Sequence, residues 1–540
     1  MIDGRIAGSA AGSAVRIVGS VAGRIIDSFH PDRAIRPHHP RIATMTTEPQ
    51  TEPRSASDRI SAQMIIGGQS VDAADGQTFE ILEPATGRVM GTAPLGGKED
   101  VDRAVVAARR AFDDPKGWSS WSASKRGRTL ARFSALVKAN LEELARLESR
   151  NVGKPISGAR GEALGASLVF EYYAGAANKV FGETIPVSKP GLDFTLREPI
   201  GVVGLIVPWN FPMLMASWKL GPALAAGNTC ILKPASWTPL STIRLGELAL
   251  EAGFPVGVVN IVTGPGGTAG AAIAGHSGIG KVAFTGETTT GQEIMRLAAN
   301  NVKKVSLELG GKSPNIVFAD ADLEKFARES PYSVFDNCGQ DCCARSRILV
   351  ERSAHDRVVE LFVAATGKVT VGDPADDATE VGPMVHPRQR DRVMDYIGVG
   401  QEEGAELLIG GSAPDDPSLA DGSYVLPTVF AGVTNEMRIA REEIFGPVVS
   451  IIPFDTEEEA IRLANATPYG LSGSIWSRDI GRALRTAKGV QAGVLSVNSN
   501  SSVHTEAPFG GYKMSGIGRE LGLHAVELYT ETKNVFVDLD

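Results

Sequence analysis

Three of the chain's four cysteines fall within six residues, in the stretch Phe335-Asp336-Asn337-Cys338-Gly339-Gln340-Asp341-Cys342-Cys343-Ala344. A thiol does covalent chemistry as the thiolate, so it needs exposure and help from an adjacent base, a helix N-terminus or a cation. The Gly339-Gln340 turn, ahead of a cysteine entering a new segment, could supply backbone N–H groups. A zinc site would pair these cysteines with a second pair or with histidines, and no histidine lies within ten residues. No metal is therefore expected. A cysteine–histidine hydrolase would need one of the five histidines beyond residue 44 brought in by the fold. On its own, the segment serves a nucleophile or a structural turn equally well.

Two further settings carry chemistry. In Leu307-Glu308-Leu309-Gly310-Gly311-Lys312, a carboxylate ends an apolar strand just before two glycines. Burial there would raise its pKa and suit it to general-base work, whereas an ordinary strand-end Glu is the plainer alternative. In Val207-Pro208-Trp209-Asn210-Phe211-Pro212, two prolines fix the loop around an amide donor. That is what an oxyanion-stabilising group requires, although a rigid turn with a satisfied Asn would look the same. The glycine-rich run 264–270 has the spacing Gly-x-Gly-x-x-x-Gly and no acidic residue suitably placed about 20 positions on, so it reads as a structural turn. The run 284–291, which contains Gly286, Glu287 and Gly291, is better placed to hold a pyrophosphate at a helix N-terminus. A carboxylate at 287 beside phosphate costs affinity unless it points away.

These residues need a frame, and the sequence describes one. Short β-rich runs at 202–207, 229–232, 258–262, 282–284 and 305–309 alternate with helix-length segments, the signature of βαβ units and a parallel sheet. A second series follows at 315–318, 347–350, 407–409, 448–452 and 473–476, with helices at 355–366, 387–404 and 456–465. Two doubly wound halves imply a cleft between them, a usual place for a cofactor. Upstream, helices are expected at 100–111 and 122–149. In the longer one Leu130, Phe133, Val137, Leu141 and Leu144 make one apolar face.

Composition narrows the function class. A net charge of −9 with scattered acids lacks the basic footprint of a nucleic-acid binder. No apolar run approaches the roughly 20 residues of a membrane helix. So few cysteines in so long a chain suit a reducing cytoplasm. Glycine is the outlier, at 61 of 540 residues, and such an excess points to tight turns or ligand loops lined by backbone. Residues 1–44 hold six arginines and no glutamate or lysine, so this stretch reads as a disordered extension, sequence upstream of a start at Met45, or a targeting peptide.

Taken together, the chain from about residue 63 to 540 resembles the aldehyde dehydrogenase superfamily in its hydrolytic, NAD(P)-dependent branch. Seven motifs stand in that family's order: Pro-Trp-Asn-Phe-Pro at 208–212, Leu-Lys-Pro-Ala-Ser at 232–236, Phe-Thr-Gly at 284–286, Leu-Glu-Leu-Gly-Gly-Lys at 307–312, Gly-Gln-Asp-Cys at 339–342, Glu-Glu-Ile-Phe-Gly-Pro at 442–447 and Pro-Phe-Gly-Gly-Tyr-Lys-Met-Ser-Gly at 508–516. The resemblance implies that Cys342 attacks the aldehyde, that Asn210 and the Cys342 backbone N–H hold the oxyanion, and that Glu308 activates the water that hydrolyses the thioester. It also implies a cofactor site of Val207, Pro208, Trp209, Lys233, Ser236, Gly286, Glu287, Gly291, Leu309, Glu443 and Phe445. Ser236 stands where the family commonly has a glutamate, which leaves NADP open beside NAD.

Positions matching the family's aldehyde tunnel are Tyr173, Met215, Trp218, Asp341, Cys343, Ser501 and Val503. The acidic Asp341, with small Ser501 and Val503, favours a polar or amine-bearing aldehyde, unless Asp341 turns away. The resemblance further implies an α/β fold of two doubly wound parallel-sheet domains, one a Rossmann-like cofactor domain and one catalytic, plus a small β oligomerisation element. Its segments are a disordered extension at 1–62, a dinucleotide-binding domain at 63–181 and 200–309, a catalytic domain at 310–525, and the oligomerisation element at 182–199 and 526–540. A cytoplasmic homodimer or homotetramer acting on a small aldehyde is expected, with neither nucleic acid nor membrane as partner. Two alternatives stay on the page: an acyl-transferring enzyme that uses coenzyme A, disfavoured by Glu308, and a non-catalytic protein on the same fold.

Overall fold

The computed structural model describes residues 59–539. The expected terminal extension falls almost wholly outside the described residues, but its far end is shorter than expected. Ile60–Ser61 is a strand paired in parallel with Arg88–Pro94, through Ile60↔Gly91 and Ser61↔Thr92. A two-residue strand gives no periodicity to read, which is why a boundary at 62 overshoots.

An eight-stranded sheet carries the first half of the fold. Its order is Gly516–Ile517, Lys304–Glu308, Lys281–Thr285, Val202–Ile206, Thr229–Lys233, Val259–Ile261, Met64–Ile66 and Gln69–Val71. The five central strands are parallel, and every residue of Val202–Ile206, Thr229–Lys233 and Lys281–Thr285 is buried. Sheets covered by helices on both faces require such unbroken apolar strands. In chain order the five run 5-4-1-2-3, so the order reverses between Val202–Ile206 and Lys281–Thr285. The crevice beyond the carboxyl ends of those two strands is where such sheets bind ligands. One edge is supplied from far along the chain: Gly516–Ile517 pairs antiparallel with Lys304–Glu308. The segment 310–525, expected as the catalytic domain, thus contributes an edge strand to this first sheet.

Residues 309–313 lead directly into a second sheet of seven strands. Its order is Glu406–Ile409, Thr428–Ala431, Val448–Phe454, Arg347–Glu351, Pro314–Val317, Ser472–Trp476 and Val494–Val497, all parallel except the first. It has its own core, which includes Ile348, Val350, Ile451, Ile475 and Trp476. A third sheet pairs Thr530–Val537 antiparallel with Leu192–Pro199 over eight residues, and Thr184–Ile185 completes it. Thr530–Val537 is at the edge of that sheet and carries the exposed Phe536 and Val537, with the exposed Leu539 just beyond it.

The long helix expected at 122–149 is two helices, Ala123–Ala139 and Leu141–Val152. Asn140 breaks it by folding its side chain back, with Nδ2 donating to the Leu136 carbonyl at 2.8 Å. Short amides compete with helical backbone bonds in this way. Among the described residues, no helix is long and apolar enough to cross a membrane.

Candidate active site

Where Val202–Ile206 runs out, residues 207–211 form a loop before the helix Pro212–Ala226. Pro212 in its first turn costs no helical hydrogen bond and fixes the loop's end. Asn210 is 4% exposed, and its Nδ2 donates to the Gln340 carbonyl at 2.9 Å. That bond joins the first strand's loop to the cysteine segment, 130 residues away. A cavity of about 470 Å³ opens here, and Asn210, Glu308 and Cys342 all line it.

Residues 341–344 form a turn, not the start of a helix. The Asp341 carbonyl accepts the Ala344 N–H at 3.0 Å, and Asp341 Oδ1 accepts the Cys343 N–H at 2.8 Å. Cys342 is half-buried and reaches the cavity. Cys338, 1% exposed, faces Met384 Sδ at 3.4 Å and is not part of the cavity wall. The surroundings do not activate the Cys342 thiol: a hydrogen bond with Cys343, then burial, holds it well above the ordinary range.

Glu308 ends the strand Lys304–Glu308 and is 4% exposed. Its Oε2 has no hydrogen-bond partner. Burial pushes its carboxyl well up, Glu520 pushes the same way, and Lys219 and Arg519 oppose them. A Cβ at Gly510 would approach Glu308 Oε1 to 2.6 Å, so the backbone of the Pro-Phe-Gly-Gly motif packs against the carboxylate. The two glycines after Glu308 serve two partners. Gly310 abuts the Glu443 carboxylate, Gly311 abuts the Cys342 carbonyl, and the Gly311 N–H donates to Glu443 Oε1 at 2.9 Å. Any side chain at either glycine would displace the groups they touch.

Among the expected cofactor residues, Pro208, Trp209, Gly286, Glu287, Leu309, Glu443 and Phe445 line the cavity. Trp209 and Phe445 meet edge to face at 5.1 Å, with Phe445 held at φ 60°. Trp237, unexpected from the sequence, lines the same side and stacks on His386 at 4.5 Å. Glu287 precedes the helix Thr288–Ala298 with an exposed side chain that makes no capping bond. Desolvation raises the Glu443 carboxyl to about 7. Val207, Lys233, Ser236 and Gly291 lie off the cavity wall. Val207 donates its N–H to the Lys233 carbonyl, and Gly291 packs on Leu309. Lys233 Nζ donates to the Pro234 carbonyl at 2.8 Å, Ser236 Oγ donates to the Gly264 carbonyl at 2.9 Å, and burial lowers the Lys233 ammonium to about 8.

The expected tunnel is only partly assembled. Met215, Trp218, Asp341, Cys343 and Val503 line the cavity, together with Phe211, Leu214, Asp336 and Phe509, which the sequence did not single out. Tyr173 and Ser501 do not. Tyr173 is fully buried with its hydroxyl donating to the Gly522 carbonyl at 3.2 Å, and Ser501 is exposed with its N–H on Ser499 Oγ. Both are corrected: one is core packing, the other part of an outward turn. Asp341 commits one oxygen to backbone yet keeps its place in the wall. The ligand atoms of Asp341, Cys342 and Cys343 lie within 4.8 Å of one another, close enough to hold a thiophilic cation.

Residues 71–535 match the model of the aldehyde dehydrogenase family. The betaine aldehyde dehydrogenase of Bacillus subtilis (strain 168) is 44% identical over 478 residues, covering 88% of this chain and 97% of that protein. The mitochondrial aldehyde dehydrogenase of Homo sapiens is 44% identical over 498 residues, covering 92% of this chain and 96% of that protein. A crystal structure of betaine aldehyde dehydrogenase from Staphylococcus aureus in complex with NAD+ superposes with a TM-score of 0.86 at 41% identity, covering 88% of this chain and 94% of that one.

Proposed function

The chain belongs to the aldehyde dehydrogenase family and is an oxidoreductase acting on aldehydes. From that premise we propose that it converts a polar, amine-bearing aldehyde to the carboxylic acid through a covalent intermediate on Cys342. The observation that carries this reading is the meeting of three groups on one cavity: Asn210 in the loop after one strand, Glu308 at the end of another, and Cys342 in the turn 341–344. Glu308, raised and with a free oxygen, is the carboxylate suited to take the thiol proton. The sulfur then adds to the carbonyl carbon, and Asn210 and the Cys342 N–H stabilise the oxygen as it gains charge.

The cofactor is NAD+. The residues present fit it: the cavity runs from Cys342 to the point of strand reversal, where Gly286 opens a helix and Glu443 faces the same space. When bound, NAD+ supplies the hydride acceptor for the thiohemiacetal carbon. Trp209, Phe445 and Glu443 would hold its nicotinamide half, with Lys233 and Ser236 towards the adenosine. After oxidation, Glu308 first releases the thiol proton to solvent; the ionised carboxylate then takes a proton from water, the hydroxide adds to the thioester carbon, and Cys342 leaves as the thiolate.

An amine-bearing substrate suits the two carboxylates in the wall, Asp336 and Asp341, beside Phe211 and Trp218. The edge strand Thr530–Val537, with its exposed apolar side chains, supports assembly into a homodimer or homotetramer. We read 63–181 with 200–309 and the edge strand Gly516–Ile517 as the cofactor unit, the rest of 310–525 as the catalytic unit, 182–199 with 526–540 as the assembly element, and the cytoplasm as the working compartment. The test is purified protein with NAD+ and a panel of aldehydes, followed at the NADH absorbance band. Reduction without coenzyme A supports the reading. Silence with NAD+ and NADP+, or a strict requirement for coenzyme A, overturns it.

A further inference from the structure

Behind Asn210 lies a buried ion pair that the mechanism above does not use. Lys154 and Glu162 form a salt bridge, each with its side chain 2% exposed. The ammonium also donates to the Asn210 carbonyl at 3.1 Å and lies 4.0 Å over the Phe211 ring. Glu162 Oε1 accepts the Leu214 N–H at 3.0 Å, one of the donors that the first turn of helix Pro212–Ala226 leaves without a helical partner. From the other side, Asn337 Nδ2 donates to the same Asn210 carbonyl at 2.9 Å. Residues 210, 211 and 214 are thus gripped by three side chains, from the segment after the helix Leu141–Val152, from the helix Ile156–Ala176 and from the cysteine segment.

A pair this deep calls for a reason other than stability, because a well-packed apolar pair of the same volume is often as stable or more so. Its placement supplies the reason. An asparagine side chain points where its backbone sends it, and Asn210 spends one Nδ2 hydrogen on the Gln340 carbonyl. The second hydrogen is left for the oxyanion. A shift of about 1 Å in such a group can cost about 10²-fold in rate.

We propose that Lys154, Glu162 and Asn337 are positioning residues that lock the Asn210 amide in register with the Cys342 turn. This rests on the reading of Asn210 as the oxyanion donor, and the two can fail separately. The paired variant Lys154→Met/Glu162→Gln removes both charges of the pair together, beside the buried Glu148 whose carboxyl burial already pushes well up, and Asn337→Ser removes an amide that bonds the Asn210 carbonyl and, at 3.4 Å, the Gln340 carbonyl; the two lesions are independent, so at least one should fold.

Each is measured for kcat, for NAD+ dissociation constant and for the rate of Cys342 alkylation by iodoacetamide, with and without Asn210→Ala. In the parent background kcat should fall about 10- to 100-fold, while NAD+ affinity and alkylation change less than about twofold. In the Asn210→Ala background the same changes should cost less than about twofold more, because residues that act through one group are not additive. Full additivity, an unchanged kcat in the parent background, or equal losses in NAD+ affinity and alkylation would overturn the positioning role. An Asn210→Ala enzyme with unchanged kcat would instead overturn the reading of Asn210.

Discussion

Glu308 and Glu443 face one cavity from either side of the same pair of glycines, yet the structure treats them differently. Glu443 is tied down: the Gly311 N–H holds one oxygen, and desolvation lifts its carboxyl only to about 7. Glu308 is buried with an oxygen that has no partner, and burial together with Glu520 lifts it well above the carboxylate range. A carboxylate that keeps a fixed hydrogen bond is built to hold something still. One that is desolvated and unpartnered is built to take a proton. The turn 309–313 separates the two tasks within a few residues.

The sharpest way to break this contrast is to remove the group between them. Cys342→Ala should cut aldehyde oxidation by more than about 10⁴-fold, while Cys343→Ala retains most of it. Steady-state rates on both variants decide, and the reverse pattern would move the nucleophile by one residue. Glu308→Gln comes next, with a loss of about 10²- to 10⁴-fold in turnover. Because its raised carboxyl must be ionised to act, activity should fall as pH drops through a value above the usual glutamate range. That acid limb should disappear from the rate of thioester hydrolysis in the variant.

Glu443→Gln should behave otherwise, raising the KM for NAD+ about tenfold with a smaller change in kcat. In the parent enzyme the NAD+ dissociation constant should rise as pH falls through about 7, where protonation of Glu443 removes an acceptor. A titration of NAD+ binding at pH 6 and 8 checks this, and equal affinities would erase the distinction between the two carboxylates. The smallest effect is expected at the cavity wall. Asp341→Ala should lower kcat/KM for an amine-bearing aldehyde less than about fivefold relative to an uncharged one of equal length, because one of its oxygens already holds the Cys343 N–H.

Much of this was legible in the sequence because the groups concerned sit at fixed offsets from strand ends. Asn210 follows and Glu308 ends an apolar strand closely, and the parallel sheet brings those ends together, while Cys342 stands in a Gly-Gln-Asp-Cys turn just ahead of the strand Arg347–Glu351. The alternation of β-rich and helix-length segments likewise located the central strands of both sheets, but it missed Thr428–Ala431 and Val494–Val497 and did not reveal that Glu406–Ile409 runs antiparallel. What was missed depends on contacts between distant segments. Lys154, just past the expected helix 122–149, and Glu162, inside the helix Ile156–Ala176, drew no notice, since nothing local says that they meet. Lys219, an ionisable residue in the apolar run 213–226, was a readable signal of a buried pair. Its partner Glu520 lies 301 residues away. Tyr173 and Ser501 failed for the opposite reason: positions carried over from a family motif say nothing of whether a side chain turns inward here. Gly516–Ile517 and Ile60–Ser61 are too short to leave a period.

The central claim is that Cys342 carries the acyl group and Glu308 releases it. Mixing Glu308→Gln enzyme with NAD+ and an aldehyde substrate, quenching within a second and mapping the digest by mass spectrometry tests it directly. The account predicts an acyl mass on Cys342 near one per active site, against little in the parent enzyme. An adduct on Cys343, or full turnover with no adduct at all, would contradict it.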